Sequence, residues 1–455
     1  MRQGLGRRVV VTGIGVVSAL GTGADRFWAA VRQGRVGTGD VTLFDTGGCL
    51  THRGGQIPEW TPPWPDEAYG HGPLTRSESF ALAATRLALA DGGLADGHGR
   101  LTGPYDDTRV GASFGIVVGN RPGIEAPLRA AYAREQARGT PSAPASAPVP
   151  RSPSGGLEPP AHNPSRISAL PAASFGLYGP NVLLPTACAA GNGAVALAAD
   201  AVAEGRADAM LAGGTDELSE AMFLMFTSFR ALSPDVVRPF DTHRAGLLLG
   251  EGSAVLLLEA EDSARARGAP VHAVVAGHGN VSDAHHMTAP HPQGHGAIRS
   301  MRAALRSAGL GPGDIDCVSA HGTGTPANDA VEAAALAEVF GGGHRHAPLP
   351  VTALKSLLGH AQGAAGALAA AACVLALRDG VVPPTANVTA PDPRCLTDDF
   401  ELVRERPLRR PLRAVLNNAF GFGGNNCCVV FTRPGTEPAE GAEAAEDATG
   451  AGERW

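Results

Sequence analysis

Residues 182–193 read Val-Leu-Leu-Pro-Thr-Ala-Cys-Ala-Ala-Gly-Asn-Gly, and an alanine-rich run follows them to residue 203. This order predicts a short buried strand, a tight turn that carries Cys188, and then a helix. Small residues on both sides of the cysteine indicate that another group approaches the backbone closely there. A cysteine at a helix N-terminus meets unpaired N–H groups and the positive end of the helix dipole, which favour a thiolate. The turn predicts a reactive Cys188 with a lowered pKa, although a buried structural cysteine fits the same turn equally well.

The same order of strand, turn and alanine-rich helix returns in the second half of the chain. Residues 351–355 lead to a glycine-rich turn at Gly359 and His360, and a helix is predicted from Ala364 to Arg378. We interpret the repetition as an internal duplication of an α/β unit. Two such units that face each other would bring their loop residues together at the seam. The other predicted strands are 8–15, 109–115, 209–216, 253–259, 271–276, 314–320 and 414–416, and the other predicted helices are 22–32, 77–91 and 298–308.

Length and composition predict two fused units, because 455 residues exceed the usual size of one hydrophobic core. We predict an N-terminal half over residues 1–259, which carries Cys188, and a C-terminal half over residues 260–433. Residues 139–160 hold seven prolines, and they predict a mobile surface insertion. Residues 434–455 hold six acidic residues against one arginine, which predicts a disordered acidic tail.

The charge pattern and the cysteines argue against several classes of function. The formal net charge is −7 and most of it lies in the acidic tail, so the body of the protein is unsuited to nucleic acid. The seven cysteines follow no disulfide or Cys-x-x-Cys framework. The first apolar run, residues 9–14, is too short for a signal peptide, and no run reaches the roughly 18 residues of a membrane span. We therefore expect a cytoplasmic protein with reduced thiols and no membrane partner.

Three further stretches carry groups suited to catalysis. His321 ends a predicted strand and begins the run His-Gly-Thr-Gly-Thr-Pro, a position typical of active sites in α/β folds. Lys355 and His360 lie five residues apart around an apolar pair. Residues 420–426 read Phe-Gly-Phe-Gly-Gly-Asn-Asn, and glycines at this density present backbone N–H groups to a ligand. Each stretch has a plain alternative, which is a turn histidine, a charged rim or a flexible hairpin.

Two groups of histidines are candidate metal ligands. Residues 285–295 contain His285, His286, His291 and His295, but their spacing matches no established ligand pattern. Cys188, His321 and His360 could also act as zinc ligands, yet no second cysteine or acidic ligand stands at a motif spacing. We expect no metal, and the lack of a P-loop or of a Gly-x-Gly-x-x-Gly motif that opens a helix gives a nucleotide no support.

Together these stretches resemble the four signatures of β-ketoacyl-[acyl carrier protein] synthases of the elongating type. The resemblance covers roughly residues 7–432 and implies the thiolase-like fold, an α/β architecture of two duplicated halves in five αβαβα layers. It rests on four motifs in the family order. These are Thr186–Gly191, His321–Thr325, Lys355 with Gly359–His360, and Phe420–Gly424, with Arg238–Asp241 and Gly250–Gly252 resembling further family blocks.

The resemblance implies a decarboxylative Claisen condensation. It makes Cys188 the nucleophile that holds the acyl group, and it makes the backbone N–H groups of Cys188 and Phe422 the oxyanion hole. His321 and His360 would stabilise the enolate that forms when a malonyl thioester loses CO2. Lys355 would adjust the electrostatics around His360.

The resemblance also implies how substrates arrive. They would be delivered on the phosphopantetheine of an acyl carrier protein, without a metal or another cofactor. The protein would act as a homodimer, or as a heterodimer with a chain-length-factor-like subunit. The residues implied to contact the substrate or the pantetheine arm are Thr323, Thr325, Phe420, Phe422 and Asn425.

Several positions depart from the family pattern and favour a specialised pathway, such as polyketide synthesis, over housekeeping fatty acid synthesis. Ala369 stands where many relatives carry the glutamate that pairs with the lysine equivalent to Lys355. The other departures are Ala189 and Ala190 after the nucleophile, Ala245 in place of Asp, and Asn425 in place of Thr or Ser. Two alternatives stay open: a cyclase or acyltransferase that does not decarboxylate, and a non-catalytic subunit that sets chain length.

Overall fold

The computed structural model describes residues 6–62, 74–96, 99–120, 163–342, 347–395 and 398–436. The proline-rich stretch at 139–160 and residues 437–455 of the acidic tail lie outside them. The helices are α1 (Ala24–Val31), α2 (Arg76–Asp91), α3 (Arg166–Phe175), α4 (Ala190–Ala203), α5 (Glu220–Ser228), α6 (Glu261–Ala266), α7 (His295–Ala308), α8 (Pro326–Phe340), α9 (Lys355–Leu358) and α10 (Gly363–Asp379). The strands are β1 (Val9–Ser18), β2 (Gly21–Thr22), β3 (Gly39–Asp40), β4 (Arg53–Gly54), β5 (Val110–Gly115), β6 (Asn181–Leu184), β7 (Ala209–Asp216), β8 (Gly252–Ala260), β9 (Ala273–Ser282), β10 (Cys317–Ser319), β11 (Leu349–Thr352), β12 (Val381–Val382), β13 (Phe400–Leu402), β14 (Leu408–Arg409), β15 (Ala414–Gly421) and β16 (Asn425–Thr432).

The main sheet confirms the predicted duplication. Its strands run in the order β13-β11-β10-β15-β16-β9-β1-β8-β7-β5-β6. In the first half, β1, β8 and β7 pair antiparallel and β7, β5 and β6 pair parallel. In the second half, β9, β16 and β15 pair antiparallel and β15, β10 and β11 pair parallel. A short antiparallel contact between β1 and β9, at Val10 with Val274 and Val11 with Ala273, joins the two halves.

The helices complete five layers around this sheet. Helices α4 and α10 pack on each other and lie between the two half-sheets. Helices α2 and α3 cover the outer face of the first half, and α7 and α8 cover the outer face of the second. The alanine-rich sequences of α4 and α10 explain their place, since small side chains let two helices and two sheets approach closely. The predicted thiolase-like architecture is confirmed.

Glycines mark the equivalent strand of each half. A Cβ at Gly15 of β1 would overlap the carbonyl oxygen of Ala84 in α2, and a Cβ at Gly279 of β9 would overlap the carbonyl oxygen of Ser300 in α7. Both glycines therefore serve close packing of an outer helix on its strand. The predicted end of β9 at residue 276 was too early, because Gly277 and Gly279 resemble strand breakers in sequence alone.

The candidate catalytic residues follow the carboxyl ends of parallel strands. Cys188 follows β6, His321 follows β10, and Lys355 and His360 follow β11. Carboxyl ends of neighbouring parallel strands share one edge of a sheet, so the topology brings these residues together. Strand β8 ends at Ala260, and the proposed division of the chain at residues 259 and 260 stays a prediction. Within the described ranges, no helix is long and apolar enough to cross a membrane.

Candidate active site

Cys188 lies in a single 3-10 turn, Ala187–Ala189, between β6 and the first residue of α4. Ala187 has a φ of 52°, an uncommon conformation for a residue with a Cβ that is often found at functional sites. The end of β15 lies against this turn. The contact is so close that a Cβ at Gly421 would stand 3.0 Å from the backbone nitrogen of Cys188. The predicted strand, turn and helix around Cys188 are confirmed, and the close approach to its backbone comes from Gly421.

The predicted lowering of the Cys188 pKa is wrong. Part of the residue is accessible from the adjoining cavity, but protein surrounds its thiol. Burial raises the pKa of the Cys188 thiol to about 11, while the charge of Lys355 and the backbone N–H of Phe422 act in the opposite direction. Removal of the thiolate from water outweighs the helix N-terminus. The thiol is therefore the resting form at neutral pH.

His321 is held by Lys355. The Lys355 ammonium lies 3.1 Å from Nδ1 of His321 and donates to the His321 carbonyl oxygen at 2.6 Å. An ammonium group can only donate, so Nδ1 of His321 accepts and the ring proton is on Nε2. Burial, together with the nearby charges of Lys355 and His360, lowers the pKa of His321 well below its ordinary value. His321 is therefore a neutral donor.

His360 reaches the same state by a different contact. Its Nδ1 accepts the backbone N–H of Gln362 at 3.0 Å, which again places the ring proton on Nε2. Burial and the charge of Lys355 lower the pKa of His360 well below its ordinary value. The rings of His321 and His360 lie 5.6 Å apart, nearly perpendicular to each other. Two neutral imidazoles thus supply two N–H donors at one place.

Lys355 is buried, and the carboxyl groups near it come from α8. Burial lowers the pKa of Lys355 to about 8, and the charges of Glu332 and Asp329 oppose that shift. Glu332 accepts the backbone N–H groups of His321 and Gly322, each at 2.8 Å. Ala369, the departure from the family pattern, is buried in α10. The negative charge near Lys355 therefore comes from α8, whereas the family pattern places the partner of this lysine on α10.

Sequence reasoning missed Glu332 and also Asp216, the last residue of β7. Asp216 accepts four backbone N–H groups, from Val117, Val118, Gly119 and Gly363, at 2.6–2.8 Å. It thereby fixes the loop after β5 and the start of α10, and burial raises its pKa to about 6. One signal was available for Glu332: Asp329 and Glu332 lie three residues apart on one face of a helix that is otherwise mostly apolar.

One cavity of about 340 Å³ brings most of the predicted site residues together. Asn425 is not among the residues that line it; its side chain donates to the carbonyl oxygen of Phe422 at 3.1 Å, and the neighbouring Asn426 faces the cavity instead. The predicted site residues that line the cavity are Cys188, His321, His360, Thr323, Thr325, Phe420 and Phe422.

Phe422 belongs to an aromatic cluster at the mouth of this cavity. Its ring stacks on Phe226 with centroids 5.7 Å apart, and it meets Phe229 edge-on at 6.3 Å. Its backbone N–H faces the Cys188 sulfur. One residue therefore offers a hydrogen-bond donor to the Cys188 sulfur and an apolar ring to the space beside it. In the described part of the chain, no three His, Cys, Asp or Glu side chains are arranged to hold a metal ion.

Comparison with known proteins identifies the family. The model of the β-ketoacyl synthase N-terminal domain matches residues 6–264, and that of the β-ketoacyl synthase C-terminal domain matches residues 272–389. The chain belongs to the β-ketoacyl synthase family. It is 38% identical to a putative polyketide β-ketoacyl synthase 1 from Streptomyces halstedii, over 94% of this chain and 99% of that protein. It is 34% identical to 3-oxoacyl-[acyl-carrier-protein] synthase 2 from Coxiella burnetii, again over 94% and 99%.

Solved structures agree with this assignment. The structure of the ishigamide ketosynthase/chain length factor matches this chain with a TM-score of 0.80 and 38% identity, over 94% of this chain and 100% of that chain. A type II PKS acyl-carrier protein in complex with its ketosynthase bound to the hexaketide matches with a TM-score of 0.79 and 27% identity, over 94% and 99%. The protein is therefore a condensing enzyme of polyketide or fatty acid biosynthesis.

Proposed function

We propose that the ketosynthase takes an acyl chain from an acyl carrier protein onto Cys188 and extends it with a malonyl-type unit, in a polyketide or related specialised pathway. The observation that carries the proposal is the meeting of the Cys188 sulfur with two neutral imidazoles in one cavity. A nucleophile alone would suit many acyl transfers. Two N–H donors beside it suit the stabilisation of an enolate.

The first step would be acyl transfer. The Cys188 thiolate attacks the carbonyl carbon of the acyl thioester, the new C–S bond forms, and the bond to the pantetheine sulfur breaks. The pantetheine thiolate takes up the proton that Cys188 gave up. The N–H of Phe422, which faces the sulfur in the free enzyme, would donate to the oxyanion together with the N–H of Cys188.

The second step would be decarboxylation and condensation. The C–C bond to the malonyl carboxylate breaks, CO2 leaves, and the electron pair forms an enolate whose oxygen accepts from Nε2–H of His321 and His360. The enolate carbon attacks the acyl-Cys188 carbonyl, a C–C bond forms, and the thiolate of Cys188 is released. Loss of CO2 supplies the driving force, so we propose that no metal or other cofactor takes part.

The cavity suits a pantetheine arm. Thr323 and Thr325 line it, and their hydroxyl groups lie 2.8 Å apart, so they offer polar contacts to an amide-containing arm. A ketosynthase solved with its acyl-carrier protein matches this chain, which supports a carrier protein as the partner. We further propose a dimer, because β6 lies at the sheet edge with Asn181 exposed, and a second subunit could pair there. The seven cysteines without a disulfide framework lead us to propose a cytoplasmic location.

Intact mass spectrometry tests the proposal. The protein is incubated with carrier proteins that bear different acyl chains, and the mass added at Cys188 is read; malonyl carrier protein is then added and CO2 is measured. We expect acyl-Cys188 followed by CO2 release. His360→Ala should still accept the acyl group but release no CO2, whereas His243→Ala, which changes an exposed histidine, should behave like the unmodified protein.

Each alternative predicts its own result in this assay. A cyclase or acyltransferase would acquire the acyl mass but never release CO2 from malonyl carrier protein. A chain-length-setting subunit would acquire no acyl mass on Cys188. The same samples, measured by native mass spectrometry alone and with a candidate partner subunit, separate a homodimer from a heterodimer.

A further inference from the structure

A loop rich in histidine forms part of the cavity wall. Residues 283–294, here called the rim loop, connect the end of β9 to the start of α7. Asp283, Thr288, Ala289 and Pro290 of this loop line the cavity that contains Cys188. Its histidines fit no metal site and take no part in the condensation proposed above, so their clustering at the cavity needs another explanation.

The rim loop is joined to the turn that carries Phe422. The backbone N–H of Asp283 donates to the carbonyl oxygen of Gly424 at 2.8 Å, and that of Gly423 donates to the carbonyl oxygen of Met287 at 2.7 Å. The amide of Asn426 donates to Oδ1 of Asp283 at 3.0 Å. Because these bonds hold the residues that directly follow Phe422, a loosened rim loop would also loosen the Phe422 turn.

Imidazole nitrogens hold the rim loop in shape. Nδ1 of His286 accepts the backbone N–H groups of Thr288 and Ala289, both at 3.1 Å. Nδ1 of His291 accepts the backbone N–H of Gln293 at 3.2 Å. A protonated imidazole carries hydrogen on both nitrogens and accepts at neither. Protonation would therefore place a hydrogen on Nδ1 opposite each of the three backbone N–H groups, and all three hydrogen bonds would be lost. Two of these bonds hold Thr288 and Ala289, which line the cavity.

A positive charge on His291 is made unfavourable by the groups around its ring. Its ring lies 4.9 Å from that of His285 and stacks at 4.3 Å on that of His295. Burial and these two histidines lower the pKa of His291, with Arg299 acting in the same direction and Asp283 against it. Asp283 is already engaged, because its Oδ2 accepts the backbone N–H of His291 at 3.1 Å.

We propose that His286 and His291 are positioning residues of the catalytic cavity: as neutral acceptors they hold the rim loop and the Phe422 turn in place, and their protonation releases both segments. Acid would thus open the wall of the site without a change at Cys188, His321 or His360. The two catalytic imidazoles are buried, whereas His286 is exposed and His291 half-buried.

The test uses asparagine, whose Oδ1 accepts as Nδ1 does but which cannot be protonated. Hydrogen–deuterium exchange is measured for peptides spanning 283–295 and 420–426 at pH 7.5 and 5.5, with protection corrected for the intrinsic exchange rate. In the unmodified protein we expect protection of both segments to fall about tenfold at pH 5.5, a change typical of local opening. In His286→Asn/His291→Asn we expect protection to be the same at both pH values. His272→Asn, which changes a histidine at the remote end of β9, should respond as the unmodified protein does.

A second variant shows what happens to the rim loop when its two imidazole acceptors are absent at every pH. His286→Leu/His291→Leu lacks the acceptors, and it should exchange rapidly at both pH values. Equal protection of the unmodified protein at pH 7.5 and 5.5 would overturn the proposal. So would an acid response of the asparagine variant that equals that of the unmodified protein. Because exchange is read without substrate, these results do not depend on whether the proposed condensation is correct.

Discussion

The ammonium group of Lys355 contacts both Nδ1 and the carbonyl oxygen of His321. This one side chain sets the tautomer of His321, helps to keep that imidazole neutral and places a positive charge near the Cys188 thiol. It is also the sole lysine in the 455-residue sequence. We therefore expect both proposed steps, acyl transfer and decarboxylation, to depend on Lys355.

Replacement of Lys355 by methionine should remove the charge and the hydrogen bonds of this side chain while keeping most of its volume. The variant Lys355→Met keeps a long side chain but leaves Nδ1 of His321 without its donor, so the ring can adopt the other tautomer. We expect CO2 release from malonyl carrier protein to fall about 100-fold, as when one donor of an oxyanion site is lost. Arg378→Met, at the end of α10 and about 38% exposed, is the control. Release of CO2 by Lys355→Met at the unmodified rate would show that His321 is held by other contacts.

The pH profile of Cys188 alkylation should reflect its buried thiol. The folded pKa of Cys188 lies above the ordinary value, near 11, so the thiolate fraction, and with it the rate, rises about tenfold per pH unit below that value. Above pH 8 the rise should be shallower, because Lys355 then loses its charge. Iodoacetamide labelling of the Cys188 peptide, measured by mass spectrometry from pH 6 to 10, provides the profile.

Two variants calibrate that profile. Lys355→Met should shift it to higher pH, since it removes the cation that lowers the Cys188 pKa. Cys188→Ala reveals labelling of the other cysteines. A profile that levels off near pH 7 would mean that the helix N-terminus outweighs burial after all.

Substitution of Glu332 should destabilise the loop that begins at His321. The carboxyl group accepts the N–H groups of His321 and Gly322, and the amide of Glu332→Gln has one oxygen for the two of them. One buried N–H then loses its acceptor, which costs about 1–3 kcal/mol in the free energy of unfolding. Urea titration measures this loss. Glu338→Gln, on the exposed face of the same helix, removes a surface ion pair with Arg302 and should change stability by less than about 1 kcal/mol. Equal effects of the two substitutions would contradict the role of Glu332.

Removal of the Phe422 ring should widen the approach to Cys188. In Phe422→Ala the backbone N–H stays, but the ring contacts with Phe226 and Phe229 are lost, which costs roughly 0.5–1.5 kcal/mol for each aromatic pair. We expect a bulky maleimide to label Cys188 several-fold faster, with little change for iodoacetamide, which is small enough to enter already. Phe229→Ala removes a neighbouring ring that carries no backbone donor at the sulfur, and it serves as the comparison. Unchanged maleimide labelling in Phe422→Ala would show that this ring does not limit access.

Much of the fold was accessible from the sequence because the signals are local. Residues 209–216 were predicted as a strand that ends in a turn, and the whole stretch forms β7; α10 was predicted to within one residue at each end. Buried apolar runs and alanine-rich segments are patterns within a short stretch of sequence, and such a pattern is enough to predict these two elements. β9 was predicted too short because the reason for its glycines is a contact with α7, far along the chain.

Local patterns were enough to identify the groups of the site: a cysteine before a helix, two histidines and a lysine after strands, and a glycine-rich turn, in the order of one family. The protonation states and the partners of these groups became visible in the folded chain. The fold made Cys188 a thiol, made His321 and His360 neutral donors, and brought Glu332 rather than a residue of α10 to Lys355. The physical reason is that a pKa depends on burial and on charges brought close from distant parts of the chain, and no local pattern records either.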